Sequence, residues 1–367
     1  MKKSGTAVKN VLFAAAAVSF GVLIVVYSKA VAASVSTALE RCLTVIIPSL
    51  YIFTALSGFF ISSGNYQLLG KIFGTFSRYI LKLPEELFGV FLISSVAGYP
   101  IGAKLISELY DRSEISKKDA ERLLCVCYSS GPAFVIGTVG QSMFAESISV
   151  KAGLALFLSN FTANLLLLAL MNIGKPVPEK NSKKTKLDFS ADTIVNSVVS
   201  GGKSMLIICA VIIFFASLTA VLSVTGIVGK LSPVISAVSG ISEPLSETII
   251  CAFMEISCIT GLDNAALYPA AAAMLSFGGL CVLLQIKAIT GSRFSLKCFL
   301  LARPVCAGFS YVSAKLFFFL FDIDITSAVS VTVCANNINY SPVLSIFLLI
   351  MTILLLSEKS IAKYKNL

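Results

Sequence analysis

The chain has 367 residues, of which 56% are hydrophobic and only 13% are charged. Soluble domains carry about 25% charged residues, so this composition, with a mean hydropathy of +0.90, excludes an ordinary soluble enzyme, a secreted disulfide scaffold and a disordered tail. It predicts an all-α, polytopic membrane protein. The net charge of +10 comes from basic residues in short polar stretches between apolar runs, which indicates membrane topology and not nucleic acid binding.

Ten apolar segments follow one another along the chain. They lie at residues 11–26, 43–61, 87–106, 123–144, 152–171, 205–224, 248–261, 265–286, 298–321 and 342–356. The first resembles a signal peptide, but many spans follow it and we expect an uncleaved transmembrane helix. A bilayer core of about 30 Å needs about 20 helical residues. Segment 248–261 is too short to cross comfortably, and segment 87–106 is interrupted by Gly98 and Pro100, so both are predicted to be re-entrant or broken.

The distribution of lysine and arginine predicts the topology. With about eight crossings, two re-entrant elements and cytoplasmic N- and C-termini, 22 of the 29 basic residues lie on the inside and only 4 lie outside. A model in which all ten segments cross would place a five-lysine loop (residues 175–186) outside. The positive-inside rule therefore favours the eight-crossing arrangement.

The order of features in the first half of the chain recurs in the second half, at an offset of roughly 145–160 residues. Each half has a span, a glycine, an amphipathic stretch, a broken apolar element, a span with an internal break and a final span. In the predicted topology the halves enter from opposite sides, which is the inverted repeat of many secondary transporters. The predicted domains are an N-terminal transmembrane helix at 1–36, a first half at 37–172, a basic cytoplasmic linker at 173–200, a second half at 201–321, and a C-terminal helix and tail at 322–367.

The reactive residues argue against catalysis. The chain has no histidine and ten cysteines, most of them inside apolar stretches, where they serve as small hydrophobic residues. No Ser-His-Asp or Cys-His centre can form. A zinc site is not expected, and we predict no metal and no cofactor. A membrane-embedded enzyme would have to rely on serine and glutamate alone, so we do not predict an enzyme.

Glu255 is the one acidic residue deep inside an apolar run. An ionised carboxylate there costs at least about 2–3 kcal/mol, so it is expected to face a cavity or a partner. It could accept a hydrogen bond from a substrate hydroxyl, carry a proton or bind a cation. The structural alternative is a partner for Arg303 or Lys203, or a protonated carboxyl group bonded to a carbonyl.

Two sequences interrupt apolar segments, Gly-Tyr-Pro at 98–100 and Ser-Ser-Gly-Pro at 129–132. Proline and glycine break a helix, which frees backbone groups that could bind a polar ligand. If a new half-helix starts after the second break, its free N–H groups could bind an anion. Asn160 and Asn164 share a helix face, where they could bind a ligand or pack between helices. Arg303 and Lys104 are expected to snorkel to the interface. The residues predicted to bind substrate are Glu255, Gly98, Tyr99, Pro100, Ser129, Ser130, Gly131, Pro132, Asn160, Asn164 and Gly261.

Several of these motifs together resemble a known family. They are AGYPIGAK at 97–104, AERLL at 120–124, SSGPAF at 129–134, GTVG at 137–140 and MEIS at 254–257, with Gly261. They resemble the YlbJ family of sporulation integral membrane proteins, in the nucleoside-recognition or Gate domain group that includes segments of ferrous-iron transporters and, distantly, concentrative nucleoside transporters. The resemblance covers about residues 40–320 and is stronger in the first half. It implies a role in endospore formation, particularly in spore cortex assembly, and names no substrate.

Two functions follow as hypotheses. The first is a transporter or gated permease of a small polar molecule needed for cortex formation, with Glu255 opposite the broken helices. The alternative is a non-transporting scaffold or partner protein of the spore membrane. The expected partners are the lipid bilayer, a small polar solute, and either a second copy of the chain or other spore-membrane proteins. The expected location is the cell membrane or a spore membrane.

Overall fold

The computed structural model describes residues 2–178 and 187–325, with side chains from residue 10 onward. These ranges are helical and contain no β-strand, which confirms the predicted all-α class. The predicted apolar segment 342–356 and the greater part of the tail 322–367 lie outside the described residues, as does most of the five-lysine stretch in the linker.

Residues 2–178 contain ten α-helices. They are α1 (Lys2–Val26), α2 (Ser28–Arg41), α3 (Ile47–Ser62), α4 (Tyr66–Ile72), α5 (Glu85–Ala97), α6 (Ile101–Asp111), α7 (Lys117–Leu124), α8 (Pro132–Phe134), α9 (Gly140–Met143) and α10 (Glu146–Met171). Three π-helical turns continue these helices, at Cys42–Ile46, Phe76–Ile80 and Val135–Val139.

The described part of the second half, up to residue 325, contains six α-helices and two short 3₁₀ segments. The helices are α11 (Ala191–Val224), α12 (Ile227–Ser239), α13 (Glu243–Met254), α14 (Tyr268–Phe277), α15 (Gly279–Thr290) and α16 (Lys297–Leu320). The 3₁₀ segments are Ile256–Gly261 and Ala265–Leu267. Ser190 caps α11 by accepting a hydrogen bond from the backbone N–H of Thr193, which satisfies one of the free donors at the start of that helix.

Within the described residues, four helical stretches are long and apolar enough to cross a membrane. They are Ser28–Ser62, Glu146–Met171, Ala191–Val224 and Ala265–Thr290, and α12 with α13, bent by 109°, would make a fifth. This confirms a polytopic helical membrane protein. The count of eight crossings is not confirmed, and the inverted repeat and the domain boundaries stay predictions.

The second span is longer than its hydropathy indicates. The sequence places an apolar segment at 43–61, whereas the helical stretch runs over 35 residues from Ser28 to Ser62. Residues 28–41 are rich in alanine, which has the highest helix propensity without being strongly apolar. The added helix carries Arg41 to the position described below.

The helices pack around one buried core that draws on both halves. Helix α3 packs against α11, α10 packs against α16, and α14 packs against α16. Large apolar side chains such as Val312 and Phe319 remain exposed on the outside, which suits a surface in contact with lipid. Four interruptions of these helices form the candidate site: between α5 and α6, between α7 and α8, after α13, and between α14 and α15.

Candidate functional site

The two breaks of the first half lie against each other. Helix α5 ends at Gly98, which has a φ of +81°, and the following Tyr99–Pro100 peptide bond is cis. The backbone N–H of Tyr99 donates to the carbonyl of Ser129 at 2.7 Å. A Cβ atom on Gly98 would lie 2.8 Å from the backbone nitrogen of Gly131. The Gly-Tyr-Pro and Ser-Ser-Gly-Pro interruptions therefore pack backbone to backbone, which only glycine allows at this distance.

The second half also has two breaks that pack together. Helix α13 ends at Met254, and Glu255 adopts an extended conformation before the 3₁₀ segment. Helices α14 and α15 meet at Gly278 and Gly279, which both have a positive φ. A Cβ atom on Gly279 would lie 3.1 Å from the carbonyl oxygen of Phe253, so the end of α13 rests on the break between α14 and α15.

Tyr128 connects the two pairs of breaks. Its hydroxyl donates to the carbonyl of Phe277 at 2.9 Å, and its ring stacks on Tyr99 with the centroids 4.9 Å apart. Arg303 places its guanidinium carbon 4.7 Å from the centre of the Tyr128 ring. All four breaks thus meet in one region, as the broken elements of the sequence predict for 98–100, 129–132 and 255.

Glu255 is buried and paired with Arg41. The distance from Arg41 Nη1 to Glu255 Oε2 is 3.4 Å, and the two side chains are 26% and 5% exposed. Ser257 donates to the carboxylate from its backbone N–H, at 3.0 Å from Oε1, and also from its hydroxyl. Arg41 Nη1 also contacts the Ser257 hydroxyl. The pairing compensates part of the cost of burying the charge.

A small cavity lies beside this pair, between the breaks. Its volume is about 40 Å³, and α3 and α11 supply apolar side chains to its lining. The polar lining comes from Tyr99, Ser130, Glu255, Ser257 and Gln285. The hydroxyl oxygens of Tyr99 and Ser130 are buried and have no hydrogen-bond partner among the described residues. Buried polar groups are usually paired with protein or water. At about 10–15 Å³ per water molecule, the cavity holds a few waters.

The lining is mainly apolar, with five polar side chains set into it. They supply a carboxylate, three hydroxyls and an amide, so this part of the lining can accept and donate hydrogen bonds. Within the described residues, no group of three or more Cys, Asp or Glu side chains could hold a metal ion.

Several predicted site residues belong to this region and others do not. Tyr99, Ser130, Gly131 and Glu255 line the cavity, and the adjoining Gly98, Pro100, Ser129 and Pro132 form the breaks. The remaining three predicted residues, Asn160, Asn164 and Gly261, are not among its lining residues.

Asn164 instead links helix α10 to Tyr128 and Arg303 by hydrogen bonds. Its amide donates to the carbonyl of Tyr128 at 2.9 Å, and its side-chain oxygen accepts from Arg303 at 3.3 Å. Asn160 is fully buried and donates to the carbonyl of Leu156, one turn earlier. Gly261 lines a separate open cleft of about 600 Å³ with Asp263 and Asn264.

The prediction that Arg303 snorkels to the interface is wrong. This side chain is 1% exposed, and it donates to the carbonyls of Cys125, Tyr128 and Ser276. The broken helices leave carbonyl groups without intrahelical donors, and the buried guanidinium satisfies them. Lys104 does not snorkel either, since it is only 8% exposed and is one of the buried residues of α6.

Sequence reasoning misses three polar residues of the site, Arg41, Ser257 and Gln285. Arg41 is one of the four basic residues that the predicted topology places outside, and Ser257 and Gln285 are not among the predicted site residues. A usable signal existed for Gln285, because it is a polar residue inside the apolar segment 265–286. The expected structural partners of Glu255 were Arg303 or Lys203, and the observed partner is Arg41, which lies 214 residues away in sequence.

The comparison with known proteins gives one relative. The chain is 29% identical over 154 residues to "Sporulation integral membrane protein YlbJ" of Bacillus subtilis (strain 168). This confirms the resemblance to YlbJ-like proteins. The match covers 42% of this chain and 37% of the relative. No protein-family profile matches the chain, and no solved structure matches it.

Proposed function

We propose that this chain is a sporulation membrane protein that passes a small polar solute through the region where its broken helices meet. The sporulation role rests on the similarity to the Bacillus relative, whose name states it. Spore cortex formation, the Gate domain relationship and the inverted repeat are parts of the same proposal and rest on the sequence motifs. The cytoplasmic placement of both termini rests on the charge distribution.

The observation that carries the transport proposal is a small cavity at the helix breaks that holds the buried carboxylate of Glu255. Discontinuous helices that meet inside the bundle are the usual architecture of a transporter site. The unpartnered hydroxyls of Tyr99 and Ser130 supply groups that a polar solute would pair. A cavity of about 40 Å³ is that of an occluded state, so passage requires the breaks to separate.

Arg41 supports a gating role at one end of the cavity. Its side chain is 26% exposed while Glu255 is 5% exposed, so the ion pair separates the buried carboxylate from more accessible space. When the pair opens, Glu255 becomes accessible to the solute, and separation of the breaks then lets the solute pass. Moving one long side chain costs less than moving a packed helix, because the core is densely packed.

The alternative, a non-transporting scaffold, is favoured by a different observation. Glu255 already has an ion-pair partner in Arg41 and two hydrogen bonds from Ser257. These contacts are enough to stabilise the buried carboxylate in a purely structural role, because they do not require a bound solute as a further partner.

Glu255→Gln separates the two functions. Glutamine keeps the shape and an acceptor for the Ser257 N–H but removes the charge. Glu247→Gln, on the exposed side of α13, is the matched control. Purified protein is screened for thermal stabilisation by nucleosides, small polar acids and cations. We expect at least one class to stabilise the wild type and the control, and not Glu255→Gln.

The same pair of variants is then tested in cells. In a spore-forming host that lacks its own copy, Glu247→Gln should restore heat-resistant spores and Glu255→Gln should not, although it reaches the membrane. Full restoration by Glu255→Gln, with no stabilising solute, would establish the scaffold function and reject transport.

A further inference from the structure

A second site lies at the C-terminal end of α10, far from the Glu255 cavity in sequence. Here Lys82, Arg122 and Lys175 line a cavity of about 120 Å³. The three residues come from different elements: Lys82 follows the π-helical turn Phe76–Ile80, Arg122 lies on α7, and Lys175 follows α10. The fold therefore brings three cations together from positions that span more than ninety residues of sequence.

The positive charge of this cationic cavity is not neutralised by ion pairs. Within the described part of the chain, the salt bridges involve other residues. Arg122 donates to the carbonyl of Met171 and to the side-chain oxygen of Asn172, at 3.2 and 3.3 Å, and Lys175 donates to the same oxygen. These partners are uncharged. Asp119 also lines the cavity, so three cations face one carboxylate.

An apolar groove adjoins the cationic cavity. It has a volume of about 290 Å³ and shares Lys82 and Asn172 with the cationic cavity. Leu166, Leu170 and Ile173 line it and are 45%, 48% and 71% exposed. The groove follows the outer surface of the last turns of α10, a candidate membrane span that ends at Met171. The cations thus lie where a span leaves the hydrocarbon, which is the level of the lipid headgroups.

We propose that this site binds an anionic phospholipid, with its phosphate in the cationic cavity and one acyl chain along the apolar groove. The positive charge of the cationic cavity favours a negatively charged headgroup. The apolar groove that continues from this cavity favours a lipid, with an acyl chain, over a free anion. Basic pockets between membrane helices on the cytoplasmic side recognise anionic headgroups in this way. The site is independent of the transport proposal, because it does not involve Glu255 or the helix breaks.

The test is lipid binding by a double variant, Lys82→Asn with Lys175→Gln. Lys82 has a φ of +49°, and asparagine tolerates this conformation better than most residues. Arg122 stays in place because it donates to the end of α10. The control is Lys151→Gln with Lys230→Gln, which removes two exposed lysines elsewhere. Phosphatidylglycerol is titrated into each protein in detergent micelles and bound lipid is counted by native mass spectrometry, with phosphatidylcholine as the neutral comparison.

We expect the wild type and the control to prefer phosphatidylglycerol and the double variant to bind it roughly 30-fold more weakly, since each basic group at a membrane surface contributes a factor of about five. Phosphatidylcholine binding should not change. Equal phosphatidylglycerol binding by the double variant, or an equal loss in the control, would overturn the proposal. Displacement of the lipid by millimolar inorganic phosphate alone would also overturn it, because the site would then recognise a free anion.

Discussion

Gly278→Ala is the substitution whose effect follows most directly from the geometry of the helix breaks. Gly278 has a φ of +81°, and a Cβ atom there would lie 1.7 Å from the Tyr128 hydroxyl oxygen and 2.6 Å from the ring carbon that bears it. Tyr128 is 2% exposed. Its hydroxyl donates a hydrogen bond to the carbonyl of Phe277, and its ring stacks on the ring of Tyr99. It therefore has little room to move away.

Two contributions set the magnitude. Placing a residue with a Cβ atom in a left-handed conformation costs about 1–2 kcal/mol. Forcing extra volume into a packed core costs about 1–3 kcal/mol more. We therefore expect Gly278→Ala to lower the free energy of unfolding by about 2–5 kcal/mol.

The assay is thermal unfolding of the purified protein in detergent micelles. Gly226→Ala is the matched control, because Gly226 has a φ of +75° with nothing within 4 Å of its Cβ position, so it carries the conformational cost alone. Adding Tyr128→Phe to Gly278→Ala removes the closest overlapping atom, and the double variant should be more stable than the sum of the two single changes predicts. Equal melting temperatures for Gly278→Ala and Gly226→Ala would refute the described contact between the two breaks.

Two further predictions concern a cysteine pair and the start of α11. Cys125 and Cys298 have their sulfur atoms 3.4 Å apart, so a mild oxidant should join them with loss of two hydrogen atoms. Because Cys125 is buried, the disulfide is detected as protection from alkylation in denaturant after the oxidation; alkylation of both thiols there would contradict the packing of α7 on α16. Asp188 accepts a hydrogen bond from the Thr193 hydroxyl, and this and neighbouring hydrogen bonds hold its pKa below the ordinary value of 3.8. Because the lowered pKa means that the charged form is favoured in the folded protein, this contribution to stability is complete above the ordinary pKa and is lost as the pH falls through the lowered one. The start of α11 should therefore loosen under acid, measured by NMR at Thr193, and Asp188→Asn should remove that pH dependence; an unchanged acid response would contradict it.

The breaks of the first half were predictable because their cause is local. Pro100 and Pro132 cannot continue a helix and Gly98 permits a positive φ, so the sequence alone locates the interruptions. The burial of Glu255 was also predictable, since its neighbours on both sides are apolar. In each case the determining chemistry lies within a few residues of the position concerned.

The partners of the buried charges were not predictable in the same way. Arg41 reaches Glu255 across 214 residues of sequence, and Arg303 reaches the carbonyl of Cys125 across 178. Nothing near Arg303 indicates that broken helices elsewhere leave carbonyls in need of a donor. Hydropathy placed it near a span end, where snorkelling is the usual outcome. Pairings of this kind depend on tertiary packing.

The transport proposal requires that the cavity beside Glu255 opens to the solution. Ser130→Cys tests it most directly, because Ser130 lines the cavity and is 0% exposed. Ser159→Cys, equally buried on α10 but not among the lining residues, is the control. Vesicles are treated with a membrane-impermeant thiol reagent, and labelling at each position is read by peptide mass spectrometry. If the cavity opens, position 130 is labelled and position 159 is not; the absence of labelling at 130 from either side of the membrane would contradict the transport proposal.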